Sequence, residues 1–160
     1  MAEAGTEQAK AYAYAIYLLS LHLRTSGELR EKLRLKKYNA QTAENVIGQL
    51  LESRYLDDGR FAEIYLDNLK KYKNFGYYGI KRKLMEKRLD KGLIERVLEQ
   101  GLGEAEELKI ARRLLQKDVR MDTGRPGGAE LGGADRAKQK LAAKLKSRGF
   151  RGPVIAKLLF

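Results

Sequence analysis

The chain of 160 residues contains no cysteine, no tryptophan, two prolines and a single histidine, His22. The absence of cysteine excludes disulfide bonds, thiolate nucleophiles and cysteine-ligated zinc or iron–sulfur centres. One histidine cannot form a metal site that needs several. No group of residues in the sequence meets the requirements of an active site. We therefore expect a protein that is not an enzyme and that has no cofactor, no metal and no small-molecule substrate.

Long hydrophobic runs are also missing. The most apolar stretch, residues 11–21, is shorter than the roughly 18 apolar residues that a membrane-spanning helix requires. The first residues lack the basic segment and apolar core of a secretory signal. These features predict a soluble, intracellular protein that does not contact a membrane.

Positive charge is in excess, with 33 Lys and Arg against 21 Asp and Glu, and residues 105–160 carry +8 of the net +12. A strongly basic chain is typical of proteins that bind a polyanion such as nucleic acid. The alternative is that the lysines only solvate the outer faces of helices.

Apolar residues recur every three or four positions along the chain, which predicts an all-α fold. Six apolar positions with the same spacing occur three times, starting at Leu29, Ile80 and Leu141. We predict a flexible N-terminal tail over residues 1–8, followed by three-helix repeats over 9–56, 57–103 and 104–160. A Gly/Pro-rich loop at 122–133 interrupts the third repeat.

A short three-helix repeat can bury its apolar face only against a neighbour. The expected architecture is therefore an elongated, curved array of three tandem three-helix repeats, each with a helix-turn-helix-like pair. Local signals support the helix starts. Thr25 and Glu28 have the spacing of a capping box, and Asn39, Asp57 and Asp90 are placed to cap later helices.

Basic residues recur on the second helix of every repeat, turned away from its inward-facing leucines, and in the turn that follows it. Two tyrosines precede the second of these helices and could stack on bases, although packing is an equal alternative. The candidate binding residues are Arg30, Arg34, Lys37, Tyr77, Tyr78, Lys81, Arg82, Lys83, Lys87, Arg88, Lys140, Lys144, Lys146, Arg148 and Arg151.

Three segments resemble a known family. Residues 54–62, Arg-Tyr-Leu-Asp-Asp-Gly-Arg-Phe-Ala, closely match the YLDD-x-RFA signature of the RecX regulatory proteins. Residues 76–81 are similar to the opening of that family's second repeat, and residues 148–155 resemble its C-terminal RGF…VI ending. The insertion at 122–133 departs from the family pattern.

The resemblance implies a bacterial cytoplasmic regulator of the recombinase RecA, built from three three-helix repeats and without enzymatic activity. It implies binding to RecA filaments on single-stranded DNA and inhibition of filament extension, ATP hydrolysis and strand exchange, which would restrain recombination and the SOS response. A stand-alone DNA-binding protein that uses its helix-turn-helix-like units is the alternative. The sequence leaves open whether the main contact is with RecA or with DNA, and whether filament ends or the filament groove are bound.

Overall fold

The computed structural model describes residues 2–122 and 133–160, and all regular secondary structure in these residues is helical. The first repeat comprises α1 (Ala2–Leu21), α2 (Ser26–Leu35) and α3 (Ala40–Glu52). The second comprises α4 (Asp58–Asn68), a π-helix (Leu69–Lys73), α5 (Tyr77–Glu86) and α6 (Lys91–Gly101). The third comprises α7 (Glu104–Asp122), α8 (Gly133–Ser147) and α9 (Gly152–Leu159). The prediction of an all-α chain of tandem three-helix repeats is confirmed.

The N-terminal segment differs from the prediction. Residues 2–8, expected to form a flexible tail, belong to α1. The Glu7 carboxylate accepts hydrogen bonds from the Asn39 backbone N–H (2.9 Å) and the Thr42 hydroxyl (3.1 Å), which fixes the start of α1 against the start of α3. The loop predicted at 122–133 lies outside the described residues, apart from Asp122 and Gly133 at the adjoining helix ends.

The described residues divide into two compact units. The first unit consists of residues 2–64 and 84–94, and the second consists of residues 65–83, 95–122 and 133–160. The division does not follow the repeats, because α5 contributes residues to each unit. A repeat is therefore a unit of sequence, whereas each core is built from parts of two repeats.

The core of the first unit confirms the repeat positions read from the sequence. Leu29 and Leu33 of α2 are fully buried against α1 and α3. Burial of a leucine side chain contributes roughly 1.5–3 kcal/mol, so this cluster supplies much of the stability of the unit. The other buried members of the cluster are Ala11, Ala15, Leu18, Ala43, Val46, Ile47, Leu50 and Leu56.

The start of α2 carries the predicted capping box. The Thr25 hydroxyl accepts from the Glu28 N–H (3.1 Å), and the Glu28 carboxylate accepts from the Thr25 N–H (3.1 Å). The same hydroxyl donates to the carbonyl of Lys87, just after α5, at 2.6 Å. The capping box therefore also binds the chain segment that follows α5.

The two aspartates of the signature have separate roles. Asp57 caps α4, as predicted, by accepting from the Arg60 N–H (3.0 Å). Asp58 accepts from both the N–H (2.8 Å) and the hydroxyl (2.5 Å) of Ser26. Asp58 thus satisfies the first turn of α2 from the first turn of α4, an interaction that the sequence did not predict.

In the second unit, α5 begins against the turn after α8. The Gly76 N–H donates to the Arg148 carbonyl (3.1 Å), and the Tyr78 N–H donates to the Gly149 carbonyl (2.8 Å). Gly149 has φ +82°, and a side chain there would overlap the backbone of Gly79. The close approach therefore requires glycine at this turn, and glycine also adopts the left-handed conformation without steric cost.

The same turn occurs at the corresponding position of all three repeats. Lys37 (φ 65°), Arg88 (φ 55°) and Gly149 each adopt a left-handed conformation just after the second helix of their repeat. In the first repeat the next N–H, from Tyr38, returns to the Leu33 carbonyl at 3.2 Å. This arrangement is a common way to end a helix, because it satisfies carbonyls of the last turn.

Gly76→Ala tests the close approach at the start of α5. An added Cβ would lie 2.5 Å from the Phe150 nitrogen and 2.6 Å from its Cγ, and such overpacking is expected to lower the free energy of unfolding by about 1–3 kcal/mol. Gly48→Ala is the control, because nothing lies within 4 Å of that position inside α3, and alanine should stabilise the helix by about 1 kcal/mol. Urea unfolding measures both. Equal stability of the two variants would contradict the packing described.

Candidate functional site

The basic candidates of α2 are held in ion pairs. Arg30 makes two hydrogen bonds to the Glu44 carboxylate of α3. Arg34 binds Glu31 through two hydrogen bonds of 2.9 and 2.8 Å. The hydrogen bonds, reinforced by charge attraction, raise the pKa of both arginines and lower the pKa of both glutamates. The positive charge of α2 is therefore largely compensated within the first unit.

Two further candidates of the first unit also face carboxylates. The Lys87 ammonium is 3.3 Å from a Glu28 oxygen, and an Arg88 guanidinium nitrogen is 4.0 Å from a Glu31 oxygen. Lys37 is exposed at the left-handed turn after α2. Four of the five basic candidates in this unit therefore have an acidic neighbour.

Several candidates of the second unit stabilise its interior. Glu107 is fully buried and accepts from the Tyr77 N–H (3.0 Å), the Arg151 N–H (2.9 Å) and the Arg151 Nε (2.5 Å). The Arg151 guanidinium also lies 4.7 Å from the centre of the Tyr77 ring. Breaking such a buried pair by removing one partner typically costs about 3–5 kcal/mol. Arg151 and Tyr77 therefore have a clear structural role.

Three more basic candidates of this unit have partners within it. Lys144 of α8 pairs with Asp118 of α7. The Arg148 guanidinium lies 5.5 Å from the centre of the Phe75 ring, and the Lys83 ammonium lies 6.0 Å from the same centre. These cation–π contacts orient both side chains beside the start of α5.

A groove of about 660 Å³ brings together three other candidates, Tyr78, Arg82 and Lys146. It is formed by α8, α9 and residues of α5. Arg82 and Lys146 are exposed and form no ion pair with any residue that the structure describes. Tyr78 is 59% exposed, and its ring meets the Tyr77 ring edge-to-face with 5.4 Å between the ring centres. The apolar residues that line the groove are Ala142, Ala143, Phe150, Ile155, Ala156 and Phe160.

The lining of the groove includes Ile155 of α9. Ile155 corresponds to Ala43 and Ile94, which are buried in their repeats, but Ile155 is only half-buried. Val154 is the fully buried residue of α9 instead. The sequence pattern predicts Ile155 as a core residue, and the structure places it in the groove. Lys81 and Lys140 are not among the groove residues, and Lys81 is half-buried whereas Lys140 is exposed.

Across residues 2–122 and 133–160, no cluster of three or more His, Asp or Glu side chains is arranged to hold a metal ion. No helix in this part of the chain combines the length and the apolar character needed to cross a membrane.

Two family models match the chain. The first three-helix domain of RecX matches residues 11–50, and the second three-helix domain of RecX matches residues 57–98. The chain belongs to the RecX family. The Regulatory protein RecX of Chlorobium limicola is 31% identical over 148 residues, which cover 91% of this chain and 85% of the relative. The Regulatory protein RecX of Trichlorobacter lovleyi is 29% identical to this chain, over 92% of this chain and 92% of the relative.

The relatives differ in length. The chain spans 54% of the Regulatory protein RecX of Bacillus subtilis, to which it is 29% identical. The crystal structure of RecX from Lactobacillus salivarius has the same fold, with a TM-score of 0.81, 22% identity and coverage of 96% of this chain and 94% of that one. A second RecX crystal structure matches with a TM-score of 0.78 and 24% identity, over 95% of this chain and 71% of that one.

The Arg30–Glu44 pair should make the free energy of unfolding depend on pH. Because hydrogen bonding to Arg30 lowers the Glu44 pKa below its ordinary value of 4.5, the pair stabilises the fold above that value and loses its contribution as the pH falls through the lowered pKa. For so exposed a pair we expect at most about 1 kcal/mol. Glu44→Gln should therefore be slightly less stable than the wild type at pH 7, and the difference should shrink as the pH falls below 4.5. A difference that persists at low pH, measured by urea unfolding, would contradict this account.

Proposed function

We propose that the chain is a non-catalytic regulator that binds RecA filaments on single-stranded DNA. In this proposal it inhibits ATP hydrolysis, filament extension and strand exchange in the cytoplasm, and thereby restrains recombination and the SOS response. Membership of a family of regulatory proteins supports a regulatory role. The single observation that carries the proposed contact is the exposed Arg82 and Lys146 beside Tyr78 at one groove.

The chemistry of this groove suits an anionic, base-bearing partner. Arg82 and Lys146 can contact phosphates without first breaking an ion pair to any residue that the structure describes. An exposed aromatic ring beside cations is the arrangement on which single-stranded bases stack, at about 1–3 kcal/mol per base. Lys140, exposed on α8, can extend the contact with the backbone. We therefore propose that the groove contacts the DNA of the filament.

The remaining candidates have lesser parts in this proposal. Three arginines already face a carboxylate of the protein, namely Arg30, Arg34 and Arg88. Each would have to leave that carboxylate to bind a phosphate, so each should add less affinity than an unpaired cation. Lys37 and Lys81 can supplement the charge of the two units. The residues that position the groove rather than contact the partner are Tyr77, Lys83, Lys144, Arg148 and Arg151. Lys87 instead pairs with Glu28 inside the first unit.

Charge reversal of the groove tests the proposal. The double variant Arg82→Glu and Lys146→Glu should require about tenfold or more protein to inhibit the ATPase of RecA on single-stranded DNA, because like charges would face the filament. The control is Arg96→Glu with Lys117→Glu, which changes the net charge equally at exposed positions outside the groove. Unchanged inhibition by the groove variant, with its helical circular dichroism intact, would refute a role for this groove.

Salt dependence separates the proposal from a stand-alone DNA-binding protein. If Arg82 contacts a phosphate, Arg82→Gln should lower the slope of log affinity against log salt by about 0.7 for single-stranded DNA. Fluorescence anisotropy with bare DNA and with the RecA filament gives both slopes. Filament binding much tighter than bare DNA binding is expected, whereas equal affinities would favour the stand-alone alternative. An unchanged slope would show that Arg82 contacts no phosphate.

A further inference from the structure

A second pocket, of about 400 Å³, lies within the first unit at the family signature. The turn between α3 and α4 contributes Arg54, Tyr55 and Asp57, and α4 contributes Arg60. The end of α1 and the turn after it form the opposite wall. The two signature aspartates have structural roles at helix starts, but no ion pair among the described residues accounts for the side chains of the two signature arginines. Their convergence on one pocket needs a separate explanation.

The pocket leaves large apolar side chains in contact with water. Leu23 is 69% exposed, Tyr55 is 64% exposed and Ile64 is 40% exposed, and all three line it. Apolar surface that stays exposed around a concavity is typical of a protein-binding site. The mixture of aliphatic and aromatic groups suits an inserted apolar side chain, whereas single-stranded nucleic acid relies on aromatic stacking.

The charge of the pocket is strongly positive. Arg24, Arg54 and Arg60 line it, and the only carboxylate among its lining residues is that of Asp57. That carboxylate already accepts the N–H that caps α4. Neither Arg54 nor Arg60 forms an ion pair within the part of the chain that the structure describes. Guanidinium groups bind carboxylates through paired hydrogen bonds, so the pocket complements acidic side chains.

The backbone conformation at Arg54 allows a substitution by glycine that removes one of these charges. Arg54 has φ 59°, a left-handed conformation that costs a residue with a side chain roughly 1 kcal/mol relative to glycine. The turn is held by hydrogen bonds from the Arg54 N–H to the Leu51 carbonyl (3.1 Å) and from the Leu56 N–H to the Leu50 carbonyl (3.0 Å). Glycine at this position would keep the turn and remove only the side chain.

We infer that this pocket binds an acidic segment of a protein partner, with an apolar side chain of that segment inserted between Leu23, Tyr55 and Ile64. Carboxylates of the segment pair with the three arginines. The inference rests on the proposed function, because it takes the partner to be RecA within its filament. The first unit would then contact the protein of the filament, while the groove of the second unit contacts its DNA.

Photo-cross-linking identifies what enters the pocket. Benzoylphenylalanine is placed at Tyr55, and at Tyr72 as a control, because Tyr72 is another exposed tyrosine and does not line the pocket. After irradiation with RecA filaments, mass spectrometry should show Tyr55 cross-linked to a RecA peptide that contains Asp or Glu, and Tyr72 not cross-linked to that peptide. Cross-linking of position 55 to DNA, or to nothing while the protein still binds filaments, would overturn the inference.

Affinity measurements provide a second readout. Arg54→Gly combined with Arg60→Gln should weaken binding to the RecA filament by about tenfold or more, as expected for arginine contacts at a protein interface. Binding to bare single-stranded DNA should not change. Lys91→Gln is the control, since it removes an exposed charge of the same unit outside the pocket. Circular dichroism and urea unfolding verify that the double variant is folded.

The outcomes separate this inference from the proposed function. If the groove variant loses inhibition while the pocket variant binds filaments normally, the pocket inference is wrong and the proposed function stands. If the pocket variant loses affinity equally for bare DNA and for filaments, the pocket holds phosphate rather than an acidic peptide, and the inference is wrong. If the wild type neither binds nor inhibits RecA filaments, the proposed function fails and the inference fails with it.

Discussion

The backbone N–H groups at the starts of α2 and α5 impose the constraint on which both units depend. A helix start leaves these donors without acceptors inside the helix, and a buried unpaired donor costs about 1–3 kcal/mol. In the first unit Thr25 and Asp58 supply acceptors. In the second unit the Glu107 carboxylate and the carbonyls of the turn after α8 supply them. Satisfying these donors brings together segments that are distant in the sequence.

This constraint explains which charged residues remain available for a partner. Glu107 and Arg151 are used to hold α5 and α9 in place, so their charges compensate each other. On α2, glutamates of α2 and α3 compensate the arginines. Arg82 and Lys146, by contrast, line a groove that has no Asp or Glu among its described lining residues. A count of basic residues in the sequence could not distinguish the arginines that are paired with carboxylates from the cations that line the groove.

The features that could be predicted from the sequence are those that depend on neighbouring residues. Thr25, Asn39, Asp57 and Asp90 cap the helices that follow them, because each cap involves residues only two or three positions apart. The spacing of apolar residues predicted the three-helix repeats for the same reason, since a helical face is a local property.

The features that could not be predicted depend on contacts between distant residues. Glu107 binds groups 30 and 44 positions away, and nothing near it in the sequence marks it as buried. The π-helix at Leu69–Lys73 is followed by Asn74, which is held by Arg113 at 2.9 Å, and Arg113 also binds the Lys70 carbonyl. Of the candidate site, the recurrence of basic residues was visible in the sequence, but their pairing with carboxylates was not.

The unequal compensation of charge in the two units has a kinetic consequence. Fixed ion pairs have weak fields at a distance, whereas uncompensated cations attract a polyanion before contact is made. Uncompensated cations such as Arg82 and Lys146 should therefore attract a polyanion more strongly than the paired arginines of α2. The electrostatic part of their effect should therefore appear as a higher association rate that falls as the salt concentration rises.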